Sequence, residues 1–227
     1  VDGVSSVGSL EFKMDDWGVD IAVSGSQKGF MLPTGLAIVG VSQKALSFCV
    51  KSNLPSCFFD FQDMLKANND GYFPYTPAAS LLRGLRASID MIQEEGLDNI
   101  HKRHYRLAEG VRQAVWAWGL EICAQSPELF SDTVTAVRVP SGINANNVIK
   151  CAYYDYKLSL GAGLSLLNGD VFRIGHLGYL NEAMVLQALG GVELAMLDSG
   201  IAFEPGAGVG AAICYYSASR RVMRKAA

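Results

Sequence analysis

The sequence predicts an α/β fold, because short apolar runs bounded by glycine are followed by longer segments whose apolar residues recur at helical spacing. The chain has 227 residues, half of them apolar, with 24 glycines and a formal net charge of −3. This composition is typical of a folded globular protein. We expect part of a larger domain over residues 1–100 and a smaller C-terminal α/β domain over residues 101–227.

Two apolar runs near the N-terminus predict the first strands. The runs GVDIAV (18–23) and GLAIVGVS (35–42) are bounded by glycine and are typical of strands buried in an α/β sheet. The loop between them carries Lys28 among small residues, and the next charged residue is Lys44. Farther along, TVTAVRVP (133–140) and VFRIG (171–175) predict two more strands.

Helices are predicted after residue 75 and again in the second half of the chain. Thr76 followed by Pro77 is typical of an N-cap and a first helical residue, and Gly96 of a helix stop. A second helix has an apolar stripe made of Leu97, Ile100, His104, Leu107, Val111, Val115 and Trp118. Residues 144–154 and 181–199 predict two further helices. Residues 42–75 carry no clear pattern.

Several function classes are disfavoured by composition. The slightly acidic chain lacks the clustered Lys and Arg that nucleic-acid binding needs. Its longest uncharged stretches, 29–43 and 206–219, are shorter than the roughly 20 apolar residues of a membrane span. The five cysteines show no CxxC or CxxH spacing, so we expect neither a disulfide framework nor a metal site, and a cytoplasmic location.

Two glycine-containing motifs are poor matches to nucleotide-binding motifs. GAGVGAA (206–212) follows Pro205 and has no acidic partner downstream, so it is interpreted as the glycine-rich start of a helix. GSQKG is not a P-loop, because Gly29 rather than Ser or Thr follows Lys28.

Lys28 and Asp2 are the candidate chemical pair. A lysine that forms an imine must be neutral part of the time, and partial desolvation favours that form. Asp2 ends an apolar strand signal; if that strand lies beside the one leading to Lys28, both side chains open onto one strand-end crevice. Such a pair fits pyridoxal 5'-phosphate (PLP), whose pyridine nitrogen pairs with a carboxylate. The alternatives are a solvated loop lysine and a turn aspartate.

The stretch VDGVSSVGSLEFKMDDWGVDIAVSGSQKGFMLPTGLAIV resembles the cofactor-lysine region of the class V, fold type I PLP-dependent aminotransferases. It is most similar to the serine–glyoxylate and alanine–glyoxylate group. The resemblance extends over nearly all of the chain, and D-x-V-x-S followed by S-G-S-Q-K and P-x-G is its most specific part. The chain resembles the C-terminal portion of such an enzyme, because the family's upstream phosphate loop and ring-stacking aromatic residue are not visible.

The resemblance implies a role for four residues of this stretch. Lys28 would be the Schiff-base lysine, and Asp2 would pair with the pyridine nitrogen. Val4 would pack on the ring, and Gln27 would hydrogen-bond the phosphate.

The resemblance also implies residues outside this stretch. FPYTP (73–77) matches the place where an aromatic residue and a threonine of the neighbouring subunit reach the phosphate, which implies a homodimer and gives Thr76 and Tyr75, with Tyr72 as an alternative. Arg173 in VFRIGHLG matches the arginine that binds the substrate carboxylate. Without the resemblance, Arg173 would be interpreted as an edge-strand arginine. His176 is interpreted as structural.

The implied activity is transfer of an amino group from serine or alanine to glyoxylate, giving glycine and hydroxypyruvate or pyruvate. The substrates would be small amino acids and 2-oxo acids. One alternative is another class V enzyme, although desulfurases typically have a histidine where this chain has Gln27. The other alternative is a non-catalytic remnant.

Overall fold

The computed structural model describes residues 1–226, with side chains described through Arg220. By its internal contacts the chain divides into two units, Val1–Leu97 and Asp98–Ala227. The assignment of a PLP-binding domain and a small domain to residues 1–100 and 101–227 remains a prediction.

The first unit contains one antiparallel strand pair and three helices. Strand β1 (Ile21–Gly25) pairs with β2 (Ala37–Val41), as the two apolar runs predict. The helices are α1 (Gln43–Cys49), α2 (Phe61–Asn69) and α3 (Ala79–Glu95). Helices α1 and α2 lie in the stretch without a clear sequence pattern.

The prediction that both strands are buried is wrong. Ala22, Ser24 and Gly25 of β1 are buried, but Ile21 and Val23 are exposed, and β2 has no buried residue. Successive side chains of a strand point to opposite faces, so a two-stranded ladder covered on one side leaves the other side open.

The predicted start of α3 at Thr76 and Pro77 is also wrong. The residue before the helix is Ala78, which has a non-helical ψ of 71° and makes no side-chain capping hydrogen bond, so the helix begins only at Ala79. The predicted stop is confirmed, because Gly96 has a φ of 79° at the C-cap.

The second unit is built on a four-stranded antiparallel sheet in the order β3-β4-β6-β5. The strands are β3 (Glu121–Ile122), β4 (Val134–Arg138), β5 (Gly161–Ala162) and β6 (Val171–Gly175). The helices are α4 (Leu97–Ala117), α5 (Ala145–Tyr154), α6 (Glu182–Asp198) and α7 (Ala207–Ala226). The strands and helices predicted for this half of the chain are confirmed.

The hydrophobic core of the second unit lies where the sheet meets its helices. Phe172 and Val137 of the sheet pack in one cluster with Leu107 of α4, Leu189 of α6 and other apolar side chains. The apolar stripe predicted for α4 is buried from Ile100 onward, whereas Leu97 is exposed. None of the helices within residues 1–226 combines the length and the apolar character needed to cross a bilayer.

The GAGVGAA motif starts a helix, as predicted, since α7 begins at Ala207. A Cβ at Gly208 would lie 2.2 Å from Nε1 of Trp118, so glycine is required for the helix to approach that ring. The buried carboxylate of Glu193 accepts hydrogen bonds from the N–H groups of Gly206, Gly208 and Val209 and from the Trp118 indole.

Candidate active site

Asp2 lies directly beside β1. It forms an isolated parallel bridge with Val23, and the N–H of Gly3 donates to the carbonyl of Val23 at 2.8 Å. The N–H of Val23 donates in turn to the carbonyl of Val1 at 3.0 Å. The predicted pairing of this segment with the strand that leads to Lys28 is therefore confirmed.

One oxygen of the Asp2 carboxylate accepts a hydrogen bond within its own turn. Its Oδ1 accepts a hydrogen bond from the N–H of Val4 at 2.9 Å, which closes an Asx turn. Within residues 1–226 its Oδ2 has no hydrogen-bond partner. Asp2 is thus a turn residue and also presents a negative oxygen that can accept a proton-bearing nitrogen. Val4 is half-buried.

The turn that carries Lys28 is fixed at its base. The hydroxyl of Ser26 donates to the carbonyl of Pro33 at 2.7 Å and accepts from the N–H of Leu36 at 3.2 Å. The N–H of Met31 donates to the carbonyl of Lys28 at 2.9 Å. Lys28 is partly buried and forms no ion pair with any residue of the described chain. Its amine is therefore held on a rigid turn without a neutralising carboxylate.

Gly29 brings the lysine turn against the turn that follows Asp2. A Cβ at Gly29 would lie 2.2 Å from the carbonyl oxygen of Val7 and 3.0 Å from Cα of Gly8. Only glycine allows this backbone-to-backbone approach. The segments of Asp2 and Lys28 are thus joined at two places, the bridge at Val23 and the contact at Gly29. In the sequence, the only sign of this role of Gly29 is its position directly after the lysine.

Further polar groups lie around the end of β1. The side chain of Gln27 folds back over Gly25, where a Cβ would lie 2.8 Å from its Oε1. The buried hydroxyl of Ser24 has no hydrogen-bond partner in the described chain. The segments joined around β1 thus carry an amine, a carboxylate oxygen, an amide and an unpaired hydroxyl. This donor set fits a ligand with an aldehyde, a basic ring nitrogen and an anionic group, as PLP has.

Tyr75 and Thr76 belong to a loop of the first unit between α2 and α3. They line an open concavity of about 680 Å³, formed by residues 71–77 alone, and neither Asp2 nor Lys28 lines it. The Thr76 hydroxyl does not cap α3, so the interpretation of Thr76 as an N-cap is wrong, and its role in phosphate binding stays a prediction.

Tyr75 and Tyr72 differ in how their hydroxyls are engaged. The hydroxyl of Tyr75 lies 3.1 Å from Sγ of Cys57, and this hydrogen bond raises the pKa of Tyr75. Its ring packs against Phe58, with the ring centres 5.1 Å apart. Tyr72 is 72% exposed, and its hydroxyl has no partner among the described residues. Tyr72 is therefore the more available of the two phenols.

Arg173 lies in the second unit, on an inner strand. Strand β6 pairs with β4 on one side and β5 on the other, so the interpretation of Arg173 as an edge-strand residue is wrong. Its Nε donates to the carbonyl of Ala162 at 2.8 Å, and the guanidinium forms no ion pair with a described residue. It therefore presents a positive charge that a carboxylate can neutralise.

His176 is fully buried next to this strand. Its Nε2 lies 2.9 Å from Oγ1 of Thr135, and its Nδ1 lies 3.0 Å from the carbonyl oxygen of Asp132. Burial, with a smaller contribution from the charge of Arg112, lowers the pKa of His176 to about 4. The interpretation of His176 as a structural residue is consistent with this environment.

Two further findings concern sulfur and metal chemistry. The five cysteines are all free thiols. Within the part of the chain that the structure describes, no group of three or more His, Cys, Asp or Glu side chains could hold a metal ion.

Comparisons with known proteins identify the family of the chain. A model of the aminotransferase class-V family matches residues 1–152. The chain is 58% identical over 219 residues to the serine–glyoxylate aminotransferase of Hyphomicrobium methylovorum, covering 96% of this chain and 54% of that protein. It is 51% identical over 227 residues to the L-aspartate–glyoxylate aminotransferase of Paracoccus denitrificans, covering 100% of this chain and 57% of the relative.

A solved aminotransferase structure is also similar to the chain. The pyridoxamine–pyruvate aminotransferase of Mesorhizobium loti matches with a TM-score of 0.90 at 31% identity, covering 96% of this chain and 57% of that chain. The chain therefore spans a little over half the length of these relatives. Its fold is that of the fold type I PLP aminotransferases, as the sequence resemblance predicts. The chain belongs to the class V aminotransferases.

Proposed function

We propose that the whole protein is a PLP-dependent aminotransferase that moves an amino group from serine, or alanine, to glyoxylate and yields glycine with hydroxypyruvate or pyruvate. The observation that carries the proposal is the fixed pairing of the Asp2 segment with the strand that leads to Lys28. The similarity to relatives named serine–glyoxylate aminotransferase supports the choice of substrates.

Four residues of the first unit would hold the cofactor. Lys28 would bind its aldehyde carbon through the amine, and the free Oδ2 of Asp2 would accept the N–H of its ring. Val4 would pack on the ring and Gln27 would donate to the phosphate. PLP, when bound, takes up the amino group of one substrate and withdraws electrons from the bonds at its Cα.

Lys28 and Arg173 would act on the substrate itself. With the cofactor bound, the Lys28 amine would act as the base that carries the proton between Cα of the substrate and the carbon atom of the cofactor's aldehyde group. Arg173 would bind the substrate carboxylate, because a planar guanidinium pairs with a carboxylate through two parallel hydrogen bonds.

The proposed enzyme is a cytoplasmic homodimer in which residues 71–77 of each subunit reach the phosphate bound by the other. The concavity formed by residues 71–77 is lined by neither Asp2 nor Lys28, which is compatible with such sharing. Large apolar side chains are exposed in the same part of the chain, among them Phe48, Phe58, Phe59 and Phe73. The five free thiols suit a reducing compartment.

A second candidate donor is aspartate. It is favoured by the 51% identity, over the whole chain, to a relative named L-aspartate–glyoxylate aminotransferase. Initial rates with serine, alanine and aspartate, each at saturating glyoxylate, distinguish the donors by their kcat/KM values.

Replacement of Lys28 tests the proposal. In the whole protein, Lys28→Ala removes both the cofactor link and the base, so we expect turnover to fall by about 10³-fold or more. Borohydride treatment with PLP should attach the cofactor to a peptide that contains Lys28 in the wild type, as mass spectrometry of the digest would detect. The matched control is Lys44→Ala, since Lys44 is exposed and its ion pair with Asp20 lies on the surface.

Activity of Lys28→Ala near that of the wild type would exclude Lys28 as the catalytic lysine. Absence of any PLP-labelled peptide from the wild type would instead support the non-catalytic alternative.

A further inference from the structure

Strand β5 holds the side chain of Arg173 in one orientation. The strand consists of Gly161 and Ala162, and in the β5–β6 register Gly161 lies opposite Arg173. The Nε of Arg173 donates to the carbonyl of Ala162 at 2.8 Å. The arginine therefore lies across β5 and is fixed at its Nε.

Gly161 provides the space for this orientation. A Cβ at this position would lie 3.1 Å from both Cβ and Nε of Arg173, which is closer than ordinary van der Waals contact. Gly161 does not have a left-handed φ, so its backbone conformation is open to other residues. The tight contacts that a larger residue at position 161 would make are therefore contacts with the Arg173 side chain.

The fixed Nε limits how Arg173 can bind an anion. A guanidinium offers a carboxylate two bidentate edges, one formed by Nε with one Nη and the other formed by the two Nη atoms. The hydrogen bond to Ala162 occupies the first edge. Within the described chain the Nη atoms have no hydrogen-bond partner, so the second edge is the one available.

We propose that Gly161 is a positioning residue for Arg173 and that β5 restricts Arg173 to end-on binding of carboxylates through its two Nη atoms. This inference rests on the proposed function, because it takes Arg173 as the group that binds the substrate carboxylate. Amino acids and 2-oxo acids share that carboxylate, so Gly161 affects the binding of both substrates alike.

The substitution Gly161→Ala in the whole protein tests the positioning role. The added methyl group displaces the guanidinium by a few tenths of an ångström, and we expect KM to rise about tenfold for both the amino donor and glyoxylate. We expect kcat to change less than KM, because Lys28 and the cofactor pocket lie in the other unit of the chain. The matched control is Gly190→Ala, since a Cβ at Gly190 meets no atom within 4 Å.

A double-mutant cycle separates positioning from a general structural effect. If Gly161 acts through Arg173, Gly161→Ala changes KM less than about twofold in an Arg173→Ala background. An unchanged KM for Gly161→Ala alone, or an equal loss in both backgrounds, would overturn the inference. If Arg173→Ala leaves KM unchanged, both the assigned role of Arg173 and the inference about Gly161 are rejected. If Arg173→Ala raises KM and Gly161→Ala does not, only the inference about Gly161 is rejected.

A crystal structure of the wild-type protein with a bound amino-acid substrate tests the binding mode directly. This test needs no substitution, so it does not depend on the folding of a variant. We expect the carboxylate on the two Nη atoms and the Nε still on the carbonyl of Ala162. A carboxylate oxygen bound to Nε would overturn the end-on assignment.

Discussion

At the residue scale, the buried side chain of His176 makes the stability of the second unit depend on pH. The ring lies between a threonine hydroxyl and a backbone carbonyl, so a neutral ring with a proton on Nδ1 satisfies both contacts. Because burial lowers its pKa from 6.5 to about 4, the folded protein binds fewer protons here than the unfolded chain between these two pH values.

We therefore expect the free energy of unfolding to rise with pH from about 4 to about 6.5 and to level off above. The contribution of His176 reaches about 3 kcal/mol between the two ends of this range. Urea unfolding at several pH values, followed by tryptophan fluorescence, measures the slope. His176→Gln should flatten it, whereas His101→Gln, at a partly exposed position, should not. An unchanged slope in His176→Gln would show that His176 is not the group responsible.

At the level of single residues, the sequence draws attention to charged groups but not to the glycines packed against them. Asp2, Lys28 and Arg173 stand out because their charges occur in a motif, and the pairing of the Asp2 segment with β1 is confirmed. Gly29 and Gly161 do not stand out, because a glycine needed for close approach has no side chain and its partner is distant in sequence.

At the level of elements, the start of α7 is stabilised by a side chain of another helix. Its first N–H groups have no partner within the helix, as at any helix start. The carboxylate of Glu193 on α6 accepts three backbone N–H groups there and the indole N–H of Trp118. The carboxylate thus connects α6, α7 and the end of α4 in the second unit.

Glu193→Ala should destabilise the second unit by about 3 kcal/mol or more, because it leaves several buried donors without an acceptor. Glu193→Gln keeps one acceptor oxygen and should cost less. Chemical denaturation with circular dichroism measures both changes. Glu204→Gln is the control for loss of a negative charge at an exposed position, and we expect it to change stability little. A cost for Glu193→Ala no larger than that of the control would show that this carboxylate does not stabilise α7.

Whether a helix or strand can be predicted from the sequence depends on its length and on how much of it is buried. The apolar stripe of α4 and the strands β4 and β6 are buried in the core of the second unit, so their periodicity is strong. Helix α1 has seven residues and none of them is buried, so it carries no such pattern. Strand β5 has two residues, too few for an alternation, although it positions Arg173.

At the level of the whole molecule, the two units differ in how much apolar surface they bury by themselves. The hydrophobic core cluster extends from Leu107 to Tyr216 and lies entirely in the second unit. Among the described residues of the first unit, Ala22 is the only buried hydrophobic side chain. The large apolar side chains of the first unit, such as Phe59 at 84% exposure, gain little from folding within this chain alone.

We therefore expect the two units to behave differently when each is expressed alone. Residues 98–227 should fold, with a cooperative thermal transition and dispersed amide resonances, because burial of their core offsets the loss of conformational entropy. Residues 1–97 should show no cooperative transition, since they bury too little apolar surface to offset that loss. Calorimetry of the two fragments tests this expectation. A sharp, two-state transition for residues 1–97 would contradict it and would mean that the Asp2–Lys28 pairing is stable without apolar cover. If the first unit folds only in the whole protein, the geometry around Lys28 depends on contacts outside residues 1–97, and under the proposed function PLP binding would report the folding of the first unit.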